Sequence, residues 1–358
     1  MTDYKAPLQL FTRHLMHWHQ HHNDRSLPWK KEQDPYRIWL SEIILQQTRA
    51  AQGLPYYLRF TEGYPTITHL AAAPDEEVFR LWQGLGYYNR CKNMLVTARY
   101  IVQELRGIFP STYDDILTLK GIGAYTAAAI SSFAYGLPCA VVDGNVYRVL
   151  SRYFGIATPI DSTAGKKEFQ ELSTTLLDKE HSAAYNQAIM DAGATICTPA
   201  APLCDSCPLQ SNCYAYKNGT IQDYPVKGKK LTVKKRYFHY IWLHTEDDIF
   251  VHQRTAKDIW QNLYEPFLIE ADTVLDITQL KKDITHTLPK IPIDNMEYMG
   301  TLSQRLTHRI IESHFYNIKL TKPIANNSES GIWMKKTDLK NIAFPRTIVS
   351  FLENNLYF

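Results

Sequence analysis

Between Cys197 and Cys213 the chain reads CTPAAPLCDSCPLQSNC, four cysteines spaced C-x6-C-x2-C-x5-C. No other stretch restricts the fold as much, because thiols gathered in one loop either pair with each other or share a metal. The first residues, MTDYKAPLQLFTRHLMHWHQHH, lack the basic, apolar and small-residue succession of a secretory signal. A reducing, intracellular setting is therefore expected, where such a density of cysteine means metal ligation and not disulfides. A structural zinc site usually shows two C-x2-C knuckles and this loop has a single one. Four thiolates in one compact loop suit a 4Fe-4S cluster held by Cys197, Cys204, Cys207 and Cys213. Cys91 and Cys139 lie outside the loop and are read as small buried hydrophobes.

The texture on either side of this loop differs. From about residue 6 to 215 the apolar spacing is helical, as in DEEVFRLWQGLGYYNRCKNMLVTARYIVQELRG, interrupted at Gly84, Gly86 and Gly107. KGKKLTVKKR, residues 227–236, has six basic residues in ten and no acid, which reads as a solvated linker that also touches a polyanion backbone. Beyond it FHYIWLH, DIFVHQR and HFYNIKL have the length and composition of strands, the first two joined by a TEDD turn. The fold class expected is a mainly α N-terminal region, residues 1–219, a basic linker over 220–236, and a smaller α+β domain over 237–358. No apolar run is long enough to span a bilayer. A formal charge of +3 permits a polyanion partner without requiring one. The histidines of 17–22 alternate with Trp18, and the spacing Phe11, Leu15, Trp18 makes them the wet face of an N-terminal helix in preference to a metal site.

Two acidic residues stand out chemically. In IWLSEIILQQT (38–48), Leu40, Ile43 and Ile44 occupy one helical face and Ile38 and Leu45 the opposite one, with Glu42 between Ile38 and Leu45. A helix apolar on both faces is packed between neighbours, so Glu42 faces an interior or a cleft, where desolvation raises its pKa; pairing with Arg49 is the alternative. In AVVDGNVYRVL, Asp143 ends an apolar run and starts a helix, so backbone N–H groups and the helix dipole should lower its pKa and keep it ionised. Capping alone would also account for it. Together they form one candidate acid and one lasting anion, the pairing that cleaves a bond to a sugar carbon through an oxocarbenium-like transition state. LKGIGAYTAAAI (119–130) places Gly121 and Gly123 in a tight turn whose bare N–H groups can approach an anion.

These motifs, with LPWKK, DPYRIWLSEIILQQTRA, LWQGLGYYNRCKNM and VVDGNVYRVL in the same order over residues 28–213, resemble the MutY-type adenine DNA glycosylases of the endonuclease III superfamily. The cysteine loop resembles that superfamily's 4Fe-4S loop, and LKGIGAYTAAAI its helix-hairpin-helix, which grips DNA phosphates without reading sequence. The resemblance implies a monofunctional glycosylase that flips adenine, mispaired with 8-oxoguanine or G, out of double-stranded DNA and releases it in base excision repair. It implies Glu42 as proton donor and later base, Asp143 as stabiliser of the sugar cation, and Asn145 and Tyr125 as members of the catalytic set. A lyase-active relative is expected to carry a lysine where Tyr125 stands, and a phenol forms no Schiff base, so the strand should stay intact. Gln47, Thr48, Leu85 and Tyr87 match residues that contact or wedge the duplex, with Gly121 and Gly123 at the backbone. Lys30 stands where the family often has another polar residue and is given no base contact.

Residues 237–358, with IWQNLYEPF and AFPRTI, resemble the family's Nudix-like domain, but no Arg-Glu or Glu-Glu dipeptide occurs there, so lesion recognition and not pyrophosphate hydrolysis is implied. The family's Phe-Ser-His loop corresponds to Leu306, Thr307 and His308, with Glu312-Ser313-His314 a second match. A monomer associated with the cytoplasmic nucleoid is expected, with no membrane partner. Two other readings remain: a bifunctional glycosylase for oxidised pyrimidines, disfavoured by Tyr125, and a non-catalytic DNA-binding or electron-transfer protein, disfavoured by the Glu42 and Asp143 pair.

Overall fold

The computed structural model describes residues 5–228, 233–289, 291–324 and 331–355. The chain divides into two compact units, one of residues up to 71 with 96–230, the other of 72–95 with 231 onward. The grouping cuts across the boundary at 219: residues 72–95, helical in sequence, belong with the C-terminal unit, and 220–228 belong with the helical one.

The helices in chain order are α1 (Lys5–His22), α2 (Pro35–Leu45), α3 (Ala50–Gly63), α4 (Ile67–Ala72), α5 (Asp75–Trp82), α6 (Asn89–Glu104), α7 (Tyr113–Thr118), α8 (Ala124–Tyr135), α9 (Gly144–Phe154), α10 (Thr163–Leu176), α11 (Ser182–Thr195) and α12 (Tyr214–Lys217). In the first unit, Phe11, Leu15 and Trp18 of α1 share a core with Val146, Val149 and Leu150 of α9 and Tyr185, Ala188 and Ile189 of α11. Asp34 starts α2 by accepting the Tyr36 N–H at 2.9 Å, and Pro35, which has no N–H to leave unsatisfied, occupies the first turn. Ile38, Trp39, Leu40, Ile43 and Ile44 are all buried, as a helix apolar on both faces requires. Helix α2 packs against α3 and against α8, whose run Thr126-Ala127-Ala128-Ala129 gives a low surface for close approach. Between α7 and α8 the chain reverses at Gly121, whose φ of +80° suits glycine. The Thr97 hydroxyl donates to the Lys120 carbonyl at 2.8 Å and pins that turn.

The second unit is built on a mixed sheet of β1 (Lys234–His244), β2 (Asp248–Gln253), β3 (Tyr264–Glu265), β4 (Phe267–Ala271), β5 (Glu297–Arg305), β6 (Arg309–Lys319) and β7 (Ile332–Lys335), in the order β3-β2-β1-β6-β5, with β4 pairing β1 and β7 pairing β2. Strands β1 and β6 are parallel, His239 opposite His314. From Phe238 to His244 strand β1 is buried on both faces, which explains the largely apolar run there. Ile241 and Leu243 pack with Leu280 and Ile284 of α13 (Ile277–Thr287), while Trp242 stacks on Phe351 of α14 (Arg346–Asn354). The strands expected from FHYIWLH, DIFVHQR and HFYNIKL lie in β1, β2 and β6.

The basic stretch 227–236 is less free than its composition suggested. Gly228 N–H donates to Asp161 at 2.8 Å; Arg236 is paired with Asp258 and Glu270, and Lys235 with Glu312. Residues 229–232 of that stretch lie outside the described residues.

Candidate active site

Glu42 sits in the middle of α2 with 6% of its surface exposed. Burial pushes its carboxyl up to about 7; the Tyr125 phenol, donating to it, opposes the shift, and the negative charge of Asp143 adds to it. Arg49, the alternative partner, caps α3 and takes no part in these interactions. Tyr125 stands in the first turn of α8, immediately after the hairpin glycines. Burial, then the charges of Glu42 and Asp143, hold its phenol well above the usual range, so it keeps its proton and remains a donor.

Asp143 is the N-cap of α9. Its Oδ1 accepts the N–H groups of Asn145 and Val146, both at 2.8 Å, and its Oδ2 accepts the Asn145 amide at 2.8 Å. The expected fall in its pKa is overturned. Burial raises it, and the bonds from Val146 and Asn145 and the nearby Arg148 only partly offset that desolvation. A cap position is legible in sequence, but the depth at which the cap lies is not. Both carboxyls are thus harder to ionise than in water, and three hydrogen bonds favour the charged form at Asp143 alone.

The cysteine loop is tied to this helix. Arg148 of α9 donates to the Cys197 carbonyl at 2.6 Å, the Gly193 carbonyl at 2.6 Å and the Asn145 side chain at 2.8 Å. One turn later Arg152 donates to the Thr198 and Pro199 carbonyls at 2.8 and 3.1 Å and lies 3.4 Å from the Cys197 sulfur. Asp143, Asn145, Arg148 and the Cys197 backbone therefore form one hydrogen-bonded chain. Cys197, Cys204, Cys207 and Cys213 line a single pocket with Arg152. Among the described residues, no three His, Cys, Asp or Glu side chains are gathered tightly enough to chelate one ion. Cys91 is fully buried, whereas Cys139 is only partly so.

Gln47 follows α2 with a φ of +55°, exposed to solvent; Thr48 donates its N–H to the Leu45 carbonyl at 3.0 Å. Gly123 caps α8 and, like Gly121, is exposed. In the second unit Tyr87 has a φ of +49° and is 46% exposed, its ring under the Arg90 guanidinium at 5.4 Å. Leu85, expected beside it at the duplex, is instead 4% exposed, an apolar side chain taken into the core of its unit. The Tyr87 hydroxyl shares a 2.6 Å hydrogen bond with the hydroxyl of Thr307, 220 residues away. Thr307 and His308 are exposed in the turn between β5 and β6, closed by Leu306 N–H to Arg309 carbonyl at 2.7 Å. Ser313 and His314 are buried within β6, so the second Ser-His match presents no loop. Two other acids of this unit are committed to arginines: Glu265 accepts Arg254 at 2.7 and 2.8 Å, and Asp258 bridges Arg236 and Arg309.

One group escaped the sequence reading. Asp191 of α11, 1% exposed, accepts Arg25 and Asn23 at 2.7 Å each and also Lys30, which explains Lys30 structurally. The only signal was an acid in an otherwise apolar stretch of α11, AIMDAGA.

The family model described as HhH-GPD superfamily base excision DNA repair protein matches residues 40–175, and a NUDIX domain model matches 239–354. The chain is 32% identical over 355 residues to an adenine DNA glycosylase of Buchnera aphidicola subsp. Schizaphis graminum, covering 97% of this chain and 99% of that one. It is 40% identical over 219 residues to the adenine DNA glycosylase of Homo sapiens, covering 59% of this chain and 40% of that protein. Among solved structures, a thermostable thymine-DNA glycosylase superposes with a TM-score of 0.56 at 29% identity, covering 60% of this chain and all 100% of the other. A non-covalent endonuclease III–DNA complex gives 0.52 at 23% identity over 59% of this chain and 97% of that one, a likeness of fold alone. No helix among the described residues is long and apolar enough to cross a membrane.

Proposed function

The chain belongs to the adenine DNA glycosylase family, within the HhH-GPD superfamily of base excision repair proteins, and from that premise we propose that it releases adenine mispaired with 8-oxoguanine or G in double-stranded DNA by acid-assisted hydrolysis. The observation that carries the reading is Glu42: a carboxyl inside a packed helix, lifted to about 7, bonded by a protonated phenol and facing a second carboxylate.

Glu42 holds a proton at neutral pH that it delivers to the adenine ring, turning a poor leaving group into a neutral base. Asp143, whose charged form is hydrogen-bonded by the start of α9, faces the cation that develops at the sugar carbon. Glu42, then ionised, takes a proton from the attacking water. Tyr125 offers no amine for a Schiff base, so the product is an intact strand with an abasic site. The exposed turn at Gly121 and Gly123 holds the phosphate backbone, Gln47, Thr48 and Tyr87 approach the opened duplex, and Thr307 and His308 read the damaged base.

The donor set of the cysteine loop fits a 4Fe-4S cluster. Cys197, Cys204, Cys207 and Cys213 line one pocket and would be the residues to hold such a group, with the Arg152 guanidinium against Cys197. A bound cluster would hold the loop together, and Arg148 and Arg152 tie that loop to the helix headed by Asp143. The protein acts as a monomer on DNA in the cytoplasmic nucleoid.

Duplexes carrying A opposite 8-oxoguanine, A opposite G, or thymine glycol test the reading in one experiment. Strand breaks should arise at the adenine, and only after alkali. Efficient cleavage without alkali would refute the monofunctional mechanism, and a break at thymine glycol would favour the oxidised-pyrimidine alternative.

A further inference from the structure

Helix α1 carries a second concentration of ligating side chains that the glycosylase reading leaves unused. His19 faces inward, hydrogen-bonded to Asn23 at 2.9 Å, and burial lowers its pKa. The histidines around it behave differently. His17, His21 and His22 are exposed, and among the described residues none is hydrogen-bonded or ion-paired. The rings of His17 and His21, one helical turn apart, have centroids 4.6 Å apart. A pocket opens beside His17, walled by His14, His17, Trp18 and His22 on one side and by Ser206 and Pro208 of the cysteine loop on the other, with His21 outside its wall.

We propose that His17 and His21 form a binding site for a late first-row divalent transition metal on the exposed side of α1. An imidazole nitrogen binds such an ion at about 2.1 Å, which puts each ring centroid about 3.2 Å from the metal. With one nitrogen of each ring turned to a common ion, centroids 4.6 Å apart subtend about 90° at it. That is the angle between adjacent ligands in a square-planar or octahedral site; a tetrahedral ion would need centroids about 5.2 Å apart. Two uncharged nitrogen donors with no carboxylate favour Ni²⁺ or Cu²⁺ over Mg²⁺ or Ca²⁺. Among the described residues no third protein ligand is already in place, so water completes the shell. Nothing in this site depends on Glu42 or Asp143.

The test is calorimetric titration of the full-length holoenzyme, purified without a polyhistidine tag, with Ni²⁺. One equivalent should bind in the micromolar range, unaffected by excess Mg²⁺. His17→Ala and His21→Ala should each weaken binding at least tenfold while adenine release and the visible absorption of the cysteine-loop cofactor stay at wild-type levels. His21→Gln, which preserves the polar helix surface, should behave as His21→Ala. Unchanged affinity in either alanine variant, or competition by Mg²⁺, overturns the proposal.

Discussion

Replacing Glu42 by glutamine should make the protein more stable and much less active, and the stability gain should depend on pH. The folded pKa of about 7 exceeds the ordinary value of 4.5. A carboxyl raised in this way costs the fold nothing while it is protonated in both states, below about pH 4.5. As pH rises, the unfolded chain releases its proton freely and the folded one cannot, so stability falls until about pH 7 and then levels off. The shift of about 2.5 units corresponds to roughly 3 kcal/mol. Glutamine keeps the shape and an acceptor for the Tyr125 phenol but never ionises. Urea unfolding should therefore find Glu42→Gln more stable by up to about 3 kcal/mol at about pH 8.5, with the gap closing near pH 4.5. Single-turnover adenine release should fall by at least about 100-fold, the usual share of a general acid. In the unaltered enzyme the same rate should decline about tenfold per pH unit above about 7, some 30-fold by about pH 8.5. A stability difference independent of pH, or a wild-type rate flat from about pH 6 to 8.5, would refute the reasoning.

Asp191→Asn should leave Arg25 and Lys30 facing a neutral partner 1% exposed, at a cost of about 3–5 kcal/mol in urea melts of the helical unit; a loss below about 1 kcal/mol would show that the triad is solvated. His239, buried and stacked on His314 with centroids 5.0 Å apart, has its pKa lowered to about 4 by burial first and His314 second. It stays neutral in the fold while the unfolded chain takes up a proton below about 6.5, so stability of the C-terminal unit should hold above that pH and fall between about 6.5 and 4. His239→Gln should flatten this profile, as tryptophan-monitored melts would reveal.

The elements that the sequence exposed are those whose signal is local. The carboxylate between Ile38 and Leu45 on α2 reports its own burial, because apolar residues on both faces leave a helix no wet side. Asp143 announced itself as a cap, yet its pKa moved opposite to expectation, since backbone bonds are set by neighbours in sequence and desolvation by neighbours in space. The same limit hid the attachment of residues 72–95 to the C-terminal unit and the bond between Tyr87 and Thr307, for no local pattern says which unit a helix joins. Lys30 looked like a departure from a family position and is accounted for only once Asp191 lies beside it. Arg148 and Arg152 were ordinary residues of an amphipathic helix until the cysteine loop folded over them.

Gln47 and Tyr87 both hold a left-handed backbone, at φ of +55° and +49°. For a residue with a β-carbon that conformation costs about 1–2 kcal/mol, and glycine would adopt it freely. A search for heat resistance alone would thus drift toward glycine at these two places and discard an amide and a phenol. Glycine at these two places would relieve the backbone and remove an exposed amide at Gln47 and, at Tyr87, the phenol that meets Thr307.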